Sequence, residues 1–369
     1  MKKVLFISEK YIYENDGYKS RIVMELELLK NYFEVCIFVP DIKMELELPV
    51  HVNVYKYTPK NNKLPGMFNL YDIRQKLNAV LDEIGNVIVY CEALPMSIMA
   101  LPICKARKLN LVYDCHGAAA AEAYLKRHNW IGYLYSKWLN WQEKKVIAFS
   151  ELVITVSKKQ ADIFKCGNKN ILLPMVPREH FFDKKFYRNE IRNKLNIKSN
   201  ALVFVYCGQN QKWQMSEETI QIYKKIENQN INSRLLILTN DVEEFKFLTN
   251  KYKINNPIVL KVSYHEVPQY LDACDFGFCL RDDSIINLVA SPTKVLEYVS
   301  RNVVPILTEY VGDFSRDLLQ AEIAYVIDIN STKDLNFVKK EFDGRSYVRK
   351  KNQECVEMYV NRLLSLSEK

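Results

Sequence analysis

Short runs of β-branched, aliphatic and aromatic residues alternate along the chain with stretches that repeat apolar positions at helical spacing. The runs Lys3–Ser8, Val35–Val39, Val52–Tyr57, Val87–Cys91, Leu111–Cys115 and Leu152–Val156 read as strands. A proline-bearing connection from Leu173 to Pro177 follows. The pattern then restarts at Leu202–Cys207, Leu235–Thr239, Ile258–Val262, Phe276–Leu280, Val303–Leu307 and Ala324–Ile327. Strands this apolar, separated by helices, predict parallel sheets covered on both faces. Two such series predict two doubly wound, Rossmann-like α/β domains, 1–174 and 178–346, with ligands bound at the carboxyl ends of the strands.

The segments between the strands carry the chemistry. After the first strand a loop runs through Gly17, Tyr18 and Lys19 to a helix predicted near Ser20, with Ile22, Val23, Leu26 and Leu29 on one side. Such a loop is a place for substrate contact, and equally a plain strand–helix connection. In 122–149, Trp130, Leu134, Trp138 and Trp141 follow helical spacing, interleaved with Lys126, Arg127, Lys137, Lys144 and Lys145. A basic, tryptophan-rich helix can lie in a membrane interface; the alternative is a helix packed on the sheet with its aromatics as core. No recognised nucleic-acid motif accompanies the mixture, so nucleic acid is not an expected partner.

The stretch 281–307 reads as a loop, a helix start and a strand. Ser291 suits the N-cap and Pro292 the first helical position, which puts Lys294 third. A helix start favours a carboxylate there, not a cation. Lysine becomes sensible if an anion occupies the helix start, where free N–H groups already point. Arg281 would add a second charge, and Glu297 falls on the same helical face as Lys294. A cation for phosphate beside a carboxylate for hydroxyls suits a sugar nucleotide; an ordinary cap with a surface ion pair is the alternative. Lys212 lies in the loop after Leu202–Cys207, reached through Gly208, where the backbone can approach a ligand closely. Tyr264 falls on another strand-end loop. In the first half, His116 follows Asp114 at a strand end, where it can donate to a sugar hydroxyl or phosphate, or move a proton.

Composition removes several classes. The 369 residues are about twice a typical domain. Hydrophobic residues make up 48% and charged residues 26%, which fits a globular protein with substantial cores. No stretch reaches the ~18 apolar residues of a membrane span. The first apolar run is too short for a signal peptide and reads as a strand. The nine cysteines are scattered without a Cys-x-x-Cys pair, as in reduced cytosolic proteins, which points to the cytoplasm. The net charge of +8 permits attraction to phosphates or to an anionic membrane surface. Gly-x-Gly-x-x-Gly is absent, so no dinucleotide fingerprint is present.

Several of these residues together resemble a known family. The strand–Gly-x-x-x-Lys loop at 204–212, Val-Pro-x-Tyr-Leu-x-x-Cys-Asp at 267–275 and Ser-Pro-Thr-Lys-Val-Leu-Glu-Tyr at 291–298 look like a GT-B glycosyltransferase. Asp-x-His-Gly at 114–117, Glu143 and the Val-Ile-Thr-Val-Ser segment ending at Ser157 add to the likeness. More narrowly it resembles the retaining family-four group, in its bacterial surface-polysaccharide branch. The resemblance implies two domains facing a cleft, the first for the acceptor and the second for a nucleotide-sugar donor. The last helix, within 347–369, would cross back to the first domain. Lys212, Arg281 and Lys294 would stabilise the diphosphate, and Glu297 would bond the ribose. Gly208, Ser291 and the backbone near Tyr264 would hold the donor, the loop Asn287–Ala290 would pass its sugar, and His116 would reach it from the first domain. Gly17, Tyr18 and Lys19 would line the acceptor side. The acceptor would be a glycan or a lipid-linked glycan, met at the inner face of the cell membrane through 122–149. No metal and no cofactor beyond the donor substrate is expected. Two departures stand out: Val289 replaces the first glutamate of the family's Glu-x7-Glu, and Gln209 follows Gly208 where relatives carry arginine. They leave a second reading, a non-catalytic accessory or chaperone subunit of a glycosyltransferase complex.

Overall fold

Each strand series forms one parallel sheet. The computed structural model describes residues 2–8, 17–41, 52–58, 69–229, 232–331 and 335–366; of residues 17–20 and 69–70 it describes the backbone alone. The first sheet contains β1 (Lys3–Ile7), β2 (Glu34–Pro40), β3 (Asn53–Tyr57), β4 (Ile88–Glu92), β5 (Leu111–Asp114), β6 (Leu152–Thr155) and β7 (Asn170–Leu172). Their order is β3-β2-β1-β4-β5-β6-β7. The second contains β8 (Leu202–Cys207), β9 (Ser233–Leu238), β10 (Ile258–Leu260), β11 (Phe276–Cys279), β12 (Val304–Leu307) and β13 (Tyr325–Val326), in the order β10-β9-β8-β11-β12-β13. Each order reverses direction once, between β1 and β4 and between β8 and β11. Ligands of such sheets bind at these switch points, beyond the carboxyl ends of the strands.

The continuous apolar runs follow from burial on both faces. In β1, Leu5 and Ile7 enter one core and Val4 and Phe6 the other. In β8, Val203 and Val205 separate from Phe204 and Tyr206 in the same way. Successive side chains point to opposite faces, so a two-sided strand must be apolar throughout. Strand β7 is not among the expected strands. It is a three-residue edge strand that leads into Pro174, too short to give a periodic signal.

The chain divides into two units, Met1–Pro174 with Glu354–Lys369, and Met175–Gln353. The helix Gly344–Leu366 begins in the second and ends in the first. There Tyr359, Val360, Leu363 and Leu366 are buried in the core shared by β1 and β2. In the second unit a buried ion-pair network ties its opening segments to the sheet. Asp275, just before β11, binds Arg188 at 2.6 Å and Arg192 at 2.8 Å, and accepts from the Val203 amide at 2.9 Å.

Two helical expectations change. The first helix begins at Gly17, so Gly17, Tyr18 and Lys19 lie in its first turn rather than in a loop; their side chains lie outside the described residues. Within 122–149 the helical spacing of Trp130, Leu134, Trp138 and Trp141 falls in one helix, but a second helix precedes it. Helices Ala119–Lys126 and Trp130–Phe149 are separated by a break at which Asn129 caps the second, accepting from the Gly132 amide at 2.8 Å. The break brings the chain close enough that a Cβ at Gly132 would lie 1.9 Å from the Arg127 carbonyl oxygen, so only glycine fits there.

Candidate active site

The second unit gathers most of the candidate residues at the switch point of its sheet. Strand β8 ends at Cys207, and Gly208 follows at φ 148. A side chain there would be strained. Its Cβ would also lie 2.7 Å from Gln214 Oε1 and 2.8 Å from Lys294 Nζ, so only glycine fits. The chain then makes a single helical turn, Lys212–Gln214, before the helix Ser216–Asn228. Tyr206, inside β8, fixes this turn. Its hydroxyl donates to the Gln209 carbonyl at 2.9 Å and lies 3.3 Å from Gln214 Oε1.

Lys294 comes from the helix Thr293–Ser300. Its ammonium donates to Gln214 Oε1 at 2.7 Å and sits 4.9 Å from the centre of the Tyr206 ring. Burial, and then the positive charge of Arg281, lower Lys294 to about 8. Arg281 follows β11 and is itself buried. Its amide donates to Thr308 Oγ1 at 2.9 Å, and its guanidinium donates to the Leu280 carbonyl at 2.8 Å. Among the described residues neither cation forms an ion pair with a carboxylate within 4.0 Å. Arg281 also lines a cavity of about 560 Å³ with Met215, Asp282, Thr308, Tyr310 and Asp328.

One turn along the same helix, Glu297 is buried and accepts from the Tyr264 hydroxyl at 2.6 Å. Burial raises its carboxyl above the usual range. Tyr264 is 39% exposed and stands in an aromatic group with His180, at 5.2 Å, and Phe181, at 5.5 Å; the Arg178 guanidinium lies 5.2 Å from its ring centre. Tyr298 anchors the helix. Its hydroxyl accepts from the Cys207 amide at 3.0 Å and donates to the Phe278 carbonyl at 3.3 Å. Gly277 makes room for it, since a Cβ there would lie 2.6 Å from the tyrosine ring.

Several expectations need correction. Ser291 is not the N-cap. Pro292 occupies that position at φ −66 and ψ 116, no side chain caps the helix, and Lys294 is its second residue. A proline cap has no polar side chain to offer, which leaves the first N–H groups uncapped. Lys212 is exposed, and no contact joins it to Lys294 among the described residues; Gln214, two residues on, makes that contact. Asn287 is not in a loop. It belongs to the short helix Ile285–Val289, is buried, and donates its amide to the Asp282 carboxylate. Val289 is fully buried, so this position packs the core.

In the first unit His116 turns inward. Its Nε2 bonds the Asp114 carboxylate, and its Nδ1 lies 3.4 Å from Glu92 Oε1. Arg21 lies behind them, 2.9 Å from Asp114 and 2.6 Å from Glu25. The ligand atoms of Glu25, Asp114 and His116 fall within 4.8 Å of one another, a spacing that could hold a metal ion. The Arg21 guanidinium already supplies positive charge to both carboxylates. Glu143 is buried and accepts from the Tyr113 hydroxyl at 2.8 Å, and Ser157 caps the helix Lys158–Ile163, so both act structurally.

Tyr206, Gln214, Tyr298, Arg178 and His180 were not singled out from sequence. Gly277, a glycine inside an apolar strand, was the one available sign that a bulky group lies against it.

Comparison with known proteins adds to this geometry. Residues 24–169 match the family described as Glycosyltransferase Family 4. No curated protein sequence matches the chain. Among solved structures, a sucrose-phosphate synthase from Thermosynechococcus elongatus superposes with a TM-score of 0.72 at 11% identity, covering 99% of each chain. WaaG, a glycosyltransferase involved in lipopolysaccharide biosynthesis, gives 0.60 at 12%, covering 98% of this chain and 92% of its own. Anabaena HepE, solved in complex with UDP and glucose, gives 0.60 at 12%, covering 100% and 95%. At such identities the likeness is one of fold. Residues 24–169 thus resemble the family-four glycosyltransferases, and the whole chain has the two-domain GT-B fold of these structures.

Proposed function

We propose that the protein is a retaining, metal-independent glycosyltransferase that takes a hexose from a nucleoside-diphosphate sugar. Lys294 and Arg281 carry this reading: two cations lie close enough to depress the lysine, at a sheet switch point, and among the described residues no carboxylate lies within 4.0 Å of either. Such an arrangement is costly when empty and favours a bound dianion. The diphosphate would lie against Gly208, the uncapped start of the helix Thr293–Ser300 and Lys294. Glu297 would take the ribose hydroxyls, and the Tyr264 group would lie beside the base. The cavity beside Arg281 would hold the sugar, with Asp282 and Asp328 accepting from its hydroxyls. As the glycosidic bond breaks, charge grows on the phosphate oxygens and the sugar becomes oxocarbenium-like. Cations already in place stabilise that charge most in the transition state. The departing phosphate then accepts the acceptor's proton on the face it leaves, which gives retention. Fixed cations take the role a metal would otherwise fill.

The test combines binding and turnover. UDP is the first probe, because HepE was solved with it. A nucleoside diphosphate is expected to raise the melting temperature by mass action. Donor turnover is expected to persist in EDTA and to yield a product of unchanged anomeric configuration by NMR. An inverted product overturns retention, and loss of turnover in EDTA overturns metal independence. Failure to bind any nucleotide favours the accessory-subunit reading.

For the acceptor we propose a lipid-linked glycan of a bacterial surface polysaccharide, met at the inner membrane face. The helix Trp130–Phe149 buries only Gly132, Leu139, Glu143, Val146 and Ile147. Trp130 is 72% and Trp141 52% exposed, and Lys145 lies 3.2 Å from the Trp141 ring centre. Aromatic rings beside lysines fit an anionic lipid interface. No helix among the described residues is long and apolar enough to cross a membrane. The protein is expected to float with vesicles containing anionic lipid and not with neutral ones. Trp130→Ser combined with Trp141→Ser is expected to abolish flotation; unchanged flotation would remove this face.

A further inference from the structure

Glu297 already accepts a hydroxyl, and the donor comes from another element. The Tyr264 phenol bonds Glu297 Oε1 at 2.6 Å. An ionised carboxylate only accepts, and a phenol donates to it. Burial, and then the charge of Glu297, hold the Tyr264 phenol above its ordinary pKa, so its proton stays on and points at the carboxylate. A ribose hydroxyl makes the same kind of bond, a neutral O–H given to a carboxylate oxygen. One acceptor atom of Glu297 therefore carries a side chain with the hydrogen-bonding character of a sugar.

Glu297 needs such a partner. It is 7% exposed and belongs to the helix Thr293–Ser300, which Tyr298 anchors to the sheet. A buried carboxylate oxygen stripped of its donor bears the full desolvation cost of that group. Among the described residues the Tyr264 hydroxyl is the side chain that donates to it.

The two partners differ in freedom. Glu297 is fixed with its helix. Tyr264 stands in the turn between β10 and the helix Val267–Asp272 and is 39% exposed. The backbone of this turn is tied down: the Glu266 amide donates to the Ser263 carbonyl at 3.0 Å, and the Ser263 hydroxyl to the Glu266 carboxylate at 2.6 Å. The phenol can leave Glu297 by rotating its own side chain between staggered positions, with the backbone unchanged. In the aromatic group around it, His180 Nε2 is buried without a hydrogen-bond partner among the described residues, so the group keeps polar capacity for a ligand.

We propose that Tyr264 is a specificity-determining residue: its hydroxyl holds the place of a ribose hydroxyl on Glu297, and a nucleotide displaces it only by returning that bond from a ribose diol. The Tyr264–Glu297 bond belongs to the fold; that a ribose replaces it rests on the proposed nucleotide-sugar reading. The exchange is one bond for another at Oε1. Tyr264 thereby lowers affinity for a ribonucleotide by part of the strength of its own bond. It leaves untouched a nucleotide lacking both hydroxyls, which has no donor to offer Glu297. A side chain that merely supported Glu297 would act in the opposite sense, since its loss would weaken the nucleotide.

The test is isothermal titration of the full-length protein and of Tyr264→Phe with UDP, GDP and ADP, each alongside its 2′,3′-dideoxy form. The parent is expected to bind one ribonucleotide about tenfold or more tightly than its dideoxy form, the worth of a hydrogen bond to a charged group. Tyr264→Phe keeps the ring and its aromatic contacts. It is expected to bind that ribonucleotide about three- to tenfold more tightly than the parent does, and the dideoxy form no differently. Equal or weaker binding of the ribonucleotide by the variant overturns the proposal, and so does equal tightening of both forms, which would assign the effect to the ring. A structure of the parent with bound nucleotide in which the Tyr264 hydroxyl remains on Glu297 overturns it too, whether or not the variant folds. A parent that binds none of the nucleotides overturns the proposed function together with this role for Tyr264. A parent that binds one, with an unimproved variant, overturns the role of Tyr264 alone.

Discussion

Replacing Lys294 with methionine lowers donor turnover by about 10²–10³-fold, the usual effect of removing one preorganised group from a developing anion. It also removes most of the thermal stabilisation given by a nucleoside diphosphate. Methionine keeps much of the lysine's length and its contact with the Tyr206 ring, so the loss reports charge more than packing. The free lysine lies at about 8 because burial and Arg281 disfavour its charged form. A diphosphate reverses that balance and favours the ammonium, so binding near pH 8 takes up a proton. Affinity is therefore expected to fall as pH rises through about 8 in the parent protein, and to lose that dependence in Lys294→Met. Isothermal titration at pH 7 and pH 9 checks both. An unchanged nucleotide shift in the variant would remove Lys294 from the site.

Asp275→Ala is expected to destabilise the second unit by about 3–5 kcal/mol, the cost of stripping one partner from a buried ion pair. Asp275 is 1% exposed and serves Arg188, Arg192 and the Val203 amide together. Arg192 is nearly as buried, so its charge has no route to water once the carboxylate is gone. Asp275→Asn should cost less, because its amide oxygen still accepts from Val203. Urea denaturation followed by circular dichroism measures the difference. A loss below about 1 kcal/mol would place Asp275 among ordinary surface substitutions.

The two-sheet fold was legible because parallel strands buried on both faces must be apolar without interruption. Strand β7 escaped because three edge residues cannot show that pattern. At the site, Lys294 was legible as a cation out of place at a helix start, although Pro292 rather than Ser291 proved to be the cap. Its partner was not: Gln214 sits in a single turn with no period, and Lys212 beside it carried the more conspicuous charge. Tyr206 and Tyr298 were concealed as core aromatics, since sequence does not show which buried hydroxyl faces a strand end. His116 was legible as a histidine at a strand end. Glu92, whose Oε1 lies 3.4 Å from its Nδ1, comes beside it through the pairing of β4 with β5, a neighbour relation that only the assembled sheet creates.

The helix Gly344–Leu366 has a consequence for biosynthesis. Tyr359, Val360, Leu363 and Leu366 complete the core over β1 and β2, yet they are translated after the whole second unit. Domains emerging from the ribosome usually fold in the order they are made. Here the first-made sheet must wait, with part of one face bare, until the second unit has been synthesised. The nascent chain therefore spends most of its translation with an apolar surface uncovered, a period in which a chaperone or an early membrane contact would matter most.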